Sequence, residues 1–247
     1  MFRVAIDGRW IEPSEWRHGS AERLLKLLLI TPRHRMRREA AAELLWPGLP
    51  PGRGAVNLRR AHHFLGRALE PEARGRVLLR ESAIVGLRPE IRLESDLQRL
   101  ITELARLDRA LLLDQAHANA STIDLVTAID SVLQVGSGEI LPDDGHEEWL
   151  VPHREHLLIR WEEVLLSAAT AFARRGEPMR AAALVRHVLA TDPADEDAHR
   201  LAIHLYARGG HHHAARRQLE VCRRALREAY GLDPSPSTFA ALTVDPA

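Results

Sequence analysis

At 247 residues, with 45% hydrophobic and 28% charged side chains, the chain is long enough for two modest domains with their own cores and too apolar to be disordered. Its longest apolar run, LLKLLLI, is interrupted by Lys26 and ends at Thr31-Pro32, far short of a membrane span, so a cytoplasmic protein without membrane contact is expected. The formal net charge of +0 hides an asymmetry: residues 1–94 hold 18 Arg and Lys against 11 Asp and Glu, and residues 95–247 hold 16 against 23, which directs a polyanion to the first part.

The opening FRVAIDGRWI reads as a short hairpin, since Val4 and Ile6 alternate with polar positions and Asp7-Gly8 is a two-residue turn signal. A helix follows, with Ser20 as its N-cap, Glu22 in its first turn, and Ala21, Leu24, Leu25 and Leu28 at helical spacing. A second helix, about Arg37 to Leu45, presents Ala41, Leu44 and Leu45 and stops at Trp46-Pro47, because a residue before proline avoids the helical region. The third helix spans about Arg53 to Leu69, and RVLLRESAIVGL then reads as a closing hairpin around Glu81-Ser82. Hairpin, three helices and hairpin is the winged helix-turn-helix plan, whose third helix enters a DNA major groove.

From Glu94 onward the pattern is helical, with a break at VGSGEILPDDG (Val135–Gly145). An internal repeat appears here: RRGEPMRAA (Arg174–Ala182) is answered by ARGGHHHAA (Ala207–Ala215), which sets Gly176 and Gly210 34 residues apart. That is the tetratricopeptide period, each unit a helix pair stacking on the next. TDPADEDAH (Thr191–His199) fits as the turn between repeats, its acids favouring the start of the following helix. The expected architecture is mostly α: a winged helix-turn-helix at 1–94, then an all-α, tetratricopeptide-like domain at 95–247.

Particular motifs now bear on family. LLWP (Leu44–Pro47), followed by Asn57-Leu58-Arg59, Ala61, Leu65 and Arg67-Ala68-Leu69, resembles the response-regulator type of winged helix in the antibiotic regulatory proteins, the SARP family. The second part resembles the bacterial transcriptional activator domain through GEILPDD (Gly138–Asp144), EWLVPHREHL (Glu148–Leu157), TDPADEDAHRLAIHLYARGG (Thr191–Gly210) and ALREAYGLDPSPST (Ala225–Thr238). The resemblance implies a non-enzymatic activator without cofactor that binds direct repeats in double-stranded DNA near promoters, as a homodimer or in tandem, and contacts RNA polymerase. It also implies a further strand before the first hairpin. The family often has Leu where His62 stands, and Arg where Phe64 and Gly66 stand.

On a helical wheel, Leu58, Ala61, Leu65, Ala68 and Leu69 share the inner side of the third helix. Val56, Arg59, Arg60, His63 and Arg67 share the outer side, flanked by Arg53, Asn57 and Phe64. That side carries no acid, and its Arg forks suit guanine edges or phosphates, while Asn57 suits adenine or the backbone. Arg74, Arg76 and Arg80 at the closing hairpin read as minor-groove or backbone contacts, or as solvated charge. Pro50-Pro51-Gly52 reads as a turn and, by the resemblance, as a loop that meets polymerase.

Other features have plain readings. His62 faces inward as a hydrogen-bonded core histidine, Trp149 is a packing residue of the acidic domain, and Cys222 is a small buried hydrophobe. His211-His212-His213 cannot converge on one metal ion and reads as a capped helix start. Asp143–Glu148 lacks any nucleophile or phosphate-loop motif around it and reads as a solvated acidic loop. The competing class is an interaction module whose winged helix no longer binds DNA, favoured by Phe64 and Gly66 and opposed by Arg60 and Arg67.

Overall fold

The computed structural model describes all residues except 1, 17, 71–75, 80, 117–121, 137–139, 142, 146 and 244–247, and also leaves aside the side chains of 115, 116 and 122–124. It divides into two compact units: Met1–Glu94 with Ile140–Glu155, and Ser95–Glu139 with His156–Ala247. The segment 140–155 thus crosses the simple division at 94/95 and belongs with the first unit.

In that unit, β1 (Ala5–Ile6) and β2 (Arg9–Trp10) pair antiparallel across Asp7-Gly8, both at positive φ, 51° and 80°. That is the geometry a two-residue hairpin demands, and Asp and Gly adopt it at low cost. Helix α1 (Gly19–Ile30) starts a residue before the expected cap, so Ser20 lies inside its first turn and His18 flanks it without a side-chain cap. Leu24, Leu25, Lys26, Leu27 and Leu28 are all buried, so α1 is enclosed on more than the single stripe its spacing suggested.

A strand the sequence reading did not anticipate, β3 (Arg35–Arg37), leads into α2 (Arg38–Leu45). It pairs antiparallel with β4 (Ile84–Gly86). Gly86 is required there, since a Cβ would lie 2.5 Å from Arg35 Cβ and 2.7 Å from the His34 carbonyl oxygen. Leu78 and Leu87 form a bridge, with Leu79 N–H donating to Gly86 O and Arg88 N–H to Val77 O, each at 2.9 Å. The closing hairpin is therefore present, and β3 extends its ladder. Glu70 fixes its base by accepting from the backbone N–H groups of Val77 and Leu78, at 2.5 and 2.8 Å.

On α2 the buried face is Ala41, Ala42 and Leu45, while Leu44 is 39% exposed. A helix eight residues long has room for one inward stripe, and 41, 42 and 45 fill it. Helix α3 (Pro51–Leu69) begins two residues earlier than expected: Pro51 and Gly52 form its first turn and Pro50 flanks it. Proline suits that position because the missing N–H would be unpaired anyway. The turn before α3 lies instead around Gly48, whose φ is 78°. Gly54 lets α3 approach α2 closely, its missing Cβ lying 3.4 Å from Ala42 Cβ.

The second unit is all helix: α4 (Asp96–Ala116), α5 (Thr122–Val135), α6 (Val151–Arg174, whose first turns lie in the other unit), α7 (Pro178–Thr191), α8 (Glu196–Arg208), α9 (His212–Tyr230) and α10 (Pro236–Ala240). Helices α4 and α5 are separate elements on either side of 117–121, which lie outside the described residues. The 34-residue repeat is visible in the backbone. Gly176 and Gly210 turn at φ 77° and 75°, and the next residues, Glu177 and His211, donate to Phe172 O and Tyr206 O at 2.9 and 2.8 Å.

Asp195 caps α8 by accepting from Ala198 N at 2.9 Å. His211–His213 do open α9, although His211 makes no side-chain cap. Glu196 accepts from Ser235 N, Ser235 Oγ and Thr238 Oγ1, each at 2.6 Å, which ties the Pro-Ser-Pro-Ser-Thr ending to α8. Burial opposes its charge, but these bonds outweigh that and hold its carboxyl below the ordinary range. Cys222 is buried, and burial pushes its thiol up to about 11.

Candidate nucleic-acid interface

Helix α3 is fixed by its inner side, where Leu58, Ala61, Leu65, Ala68 and Leu69 are buried. Arg9, held by Glu15 at 2.7 Å, also donates to Ala68 O near the helix end at 3.3 Å. The outer side emerges as the wheel placed it: Arg53, Val56, Arg59, Arg60, His63 and Arg67 are exposed. Among the described residues, none of the four arginines forms an ion pair with an acid. Arg60 and Arg67 stand two turns apart, about 10 Å along the axis. Five unopposed basic side chains on one rigid face can meet phosphates and base edges together.

Asn57 and Phe64 are half-buried. The Phe64 ring packs 4.2 Å from His18 and 5.5 Å from His63, centroid to centroid. Phe64 therefore supports the rim of the face more than it projects from it. His62 departs from the expected hydrogen-bonded core histidine: it is half-buried, and its Nε2 is enclosed without a hydrogen-bond partner. Burial, and then the charge of Arg38, hold its pKa below the ordinary value, so the ring is neutral. Gly66 is not required by crowding, because a Cβ there would sit 3.5 Å from Leu78 Cδ1, an ordinary contact.

Arg76 is exposed at the hairpin; Arg74 and Arg80 lie outside the described residues. Pro50, Pro51 and Gly52 are all exposed, but they belong to the start of α3, which corrects their reading as a turn.

Three further cations escaped the sequence reading. Arg33, Arg35 and Arg37 are exposed along the turn into β3, Arg33 and His34 taking left-handed φ of 58° and 54°. Such conformations persist only when the surroundings enforce them; His34 N–H donates to Thr31 O at 2.9 Å, and its ring Nδ1 lies 3.2 Å from Leu28 O. The Arg-Met-Arg alternation after Pro32 was the available signal.

Two acids of the stretch 143–148 depart from its reading as a solvated loop, while Asp143 and Glu148 are exposed as that reading expects. Asp144 and Glu147 are buried, 8% and 3% exposed. Lys26, the chain's single lysine, places Nζ 2.8 Å from both Asp144 carboxylate oxygens and 2.6 Å from Glu22 Oε1. Arg23 donates to Glu147 Oε2 at 2.7 Å and to Leu45 O at 3.0 Å. Burial opposes the Lys26 charge, but the hydrogen bonds it donates to Asp144 and Glu22 outweigh that and raise its pKa. Trp149 is buried as expected, but within the first unit, its Nε1–H donating to Glu147 Oε2 at 2.6 Å.

A three-helix core with a β-wing and a basic outer helix face defines the class: a winged helix-turn-helix protein carrying a tetratricopeptide-like helical unit. The pattern of the bacterial transcriptional activator domain matches residues 95–242. The chain belongs to that family and is a SARP-type transcriptional regulator, a class that works through transcription and not through enzymatic turnover. Among solved structures it is similar to Mycobacterium tuberculosis EmbR in complex with a low affinity phosphopeptide, with 18% identity and a TM-score of 0.73. The similarity covers 97% of this chain and 61% of that one; at this identity it bears on the fold alone. No curated protein matches. No described helix is long and apolar enough to cross a membrane, and no described group of His, Cys, Asp and Glu could hold a metal ion.

Proposed function

We propose that this protein is a cytoplasmic activator that binds direct repeats in double-stranded DNA near promoters through the outer side of α3, singly in tandem or as a homodimer, and helps to recruit RNA polymerase. The observation that carries the reading is the unopposed basic face of α3, exposed on a core that Leu58, Ala61 and Leu65 immobilise. Arg53, Asn57, Arg59, Arg60, His63 and Arg67 contact the groove, Val56 offers a methyl contact to thymine, and Phe64 shapes the rim. Arg76 and Arg80 follow the backbone at the wing. Arg33, Arg35 and Arg37 add phosphate contacts beside it. The exposed start of α3, Pro50-Pro51-Gly52, meets polymerase.

The DNA-binding part is residues 1–94 completed by 140–155, and the remainder of 95–247 is the activation part. The test is selection of bound sequences from a random duplex pool, followed by titration of the selected site and of random DNA at several salt concentrations. Preference for the selected site, with affinity falling as salt rises, is the expected result. Absence of binding to either DNA at low salt overturns the reading in favour of an interaction module.

A further inference from the structure

His18 precedes α1 in an extended conformation, φ −141° and ψ 127°, at the position where a side chain ordinarily caps a helix, yet it makes no cap. Its backbone is held from both sides. Its N–H donates to the carbonyl oxygen of Trp16, a buried residue of the short helical turn Pro13–Trp16, and its own carbonyl oxygen accepts from Ala21 N–H at 3.0 Å. The side chain is exposed, and its ring is turned to α3, lying 4.2 Å from the Phe64 ring with the planes tilted by 57°. Phe64 in turn meets the His63 ring edge-on, at 5.5 Å and 76°. Three rings thus run from the chain before α1 to the outer side of α3.

Arg60, His63, Phe64 and Arg67 stand at i, i+3, i+4 and i+7 and share one helix face. The arginines are long enough to swing to a phosphate on either wall of a groove. An imidazole on its short stem reaches only what lies directly over the helix, which in a major groove is the edge of a base. Its N–H suits the N7 acceptor of a purine. An exposed histidine free to turn about both side-chain bonds loses that freedom on binding; a ring packed edge-on against a half-buried phenyl has already given up much of it. His18 is the ring that meets that phenyl from outside α3.

We infer that His63 reads a purine N7 in the DNA site and that His18, without touching DNA, positions it through the Phe64 ring. This rests on the DNA-binding reading above and adds to it a specificity-setting residue outside α3. Sequence preference at one base pair then depends on a side chain that precedes α1.

The test titrates the full chain with the selected duplex and with its single-base-pair variants. Wild type is compared with His18→Ala, with His18→Phe, which keeps a ring at 18, with His63→Ala and with His18→Ala/His63→Ala. Salt series and melting curves run in parallel. Wild type should discriminate by about tenfold at the base pair that His63 reads. His63→Ala should remove that discrimination, and His18→Ala should lower it by about half or more, while His18→Phe keeps it. The double variant should match His63→Ala, because His18 acts only through His63. Affinity for random DNA, the salt slope and the melting temperature should stay at wild-type values for His18→Ala.

A wild-type preference profile in His18→Ala or in His63→Ala overturns the proposal and leaves the DNA-binding reading standing. So does a double variant whose losses add, which makes His18 a DNA contact in its own right, or a loss shared by all sequences with a flatter salt slope, which makes it a phosphate contact. A fall in melting temperature with equal loss at every base pair makes His18 a support of the fold alone and also overturns it. Wild type that binds neither selected nor random DNA overturns both readings.

Discussion

The outer face of α3 and the acidic stretch Asp143–Glu148 both carry charge of one sign, and they end in opposite environments. Arg53, Arg59, Arg60 and Arg67 of α3 stay in water and, among the described residues, without acidic partners, whereas Asp144 and Glu147 are buried against Lys26 and Arg23 of α1. A buried charge must find its counter-charge within the protein, because the interior cannot solvate it. An exposed run of like charge has no such need and remains available to a partner. The comparison separates charge used to hold the fold from charge kept for binding.

The largest expected effect comes from the buried side of that comparison. Lys26→Met strands the Asp144 carboxylate and should cost about 3–5 kcal/mol in urea unfolding, since breaking a buried pair leaves one charge uncompensated. Asp144→Ala should cost less, because Glu22 remains beside Lys26 at 2.6 Å, and Lys26→Met/Asp144→Leu should regain much of the loss. If Lys26→Met unfolds like wild type, the acidic stretch is no more than a surface loop. Lys26 has a raised folded pKa, so its contribution is complete below the ordinary lysine value and fades as pH rises through the folded one.

On the exposed side the signs should reverse: Arg60→Ala and Arg67→Ala leave stability within about 0.5 kcal/mol but cost about 1–3 kcal/mol of specific DNA binding. A lost phosphate contact would weaken all sequences alike and flatten the salt slope; a lost base contact would relax preference at one position. Melting temperatures that fall together with affinity would erase the distinction between the two kinds of charge.

Glu162 on α6 sharpens the comparison as a carboxyl that is neither fully solvated nor matched by a cation. Burial, and then the charges of Asp195 and Asp192, raise its pKa to about 7. The folded protein therefore binds a proton that the unfolded chain releases near pH 4.5, and stability falls as pH rises from there to about 7. Glu162→Gln should flatten this dependence and stabilise the protein by about 1 kcal/mol at pH 8, allowing for partial exposure. Unfolding curves at pH 5 and pH 8 that shift equally in both proteins would exclude it.

The smallest effect is Gly66→Ala. The site has room for a Cβ 3.5 Å from Leu78 Cδ1, and alanine loses less backbone entropy in a helix, so a gain of about 0.5–1 kcal/mol is expected in a thermal melt. A loss would show that α3 and the wing are packed more tightly than that distance implies.

Much of the site was legible because α3 obeys a single period: the buried and exposed residues of Arg53–Leu69 fall where spacing alone puts them. The hairpin at Asp7-Gly8, the paired glycines 34 residues apart and the burial of Cys222 were legible for the same reason, each being a local rule of backbone or side chain. Phe64 and His62 were less so, since His18 and Arg38, which set their surroundings, come from before α1 and from α2.

What the sequence by itself determined was the kind of most elements and the side that α3 buries, because those follow from residues at most a few positions apart. Only the tertiary structure decided which charges are consumed. Lys26 and Asp144 are separated by 118 residues, and nothing in the periodicity around either shows that the other will neutralise it. The same long-range pairing placed 140–155 in the first unit and buried α1 on more than one side, while the arginines of α3, like Arg33, Arg35 and Arg37, still face water.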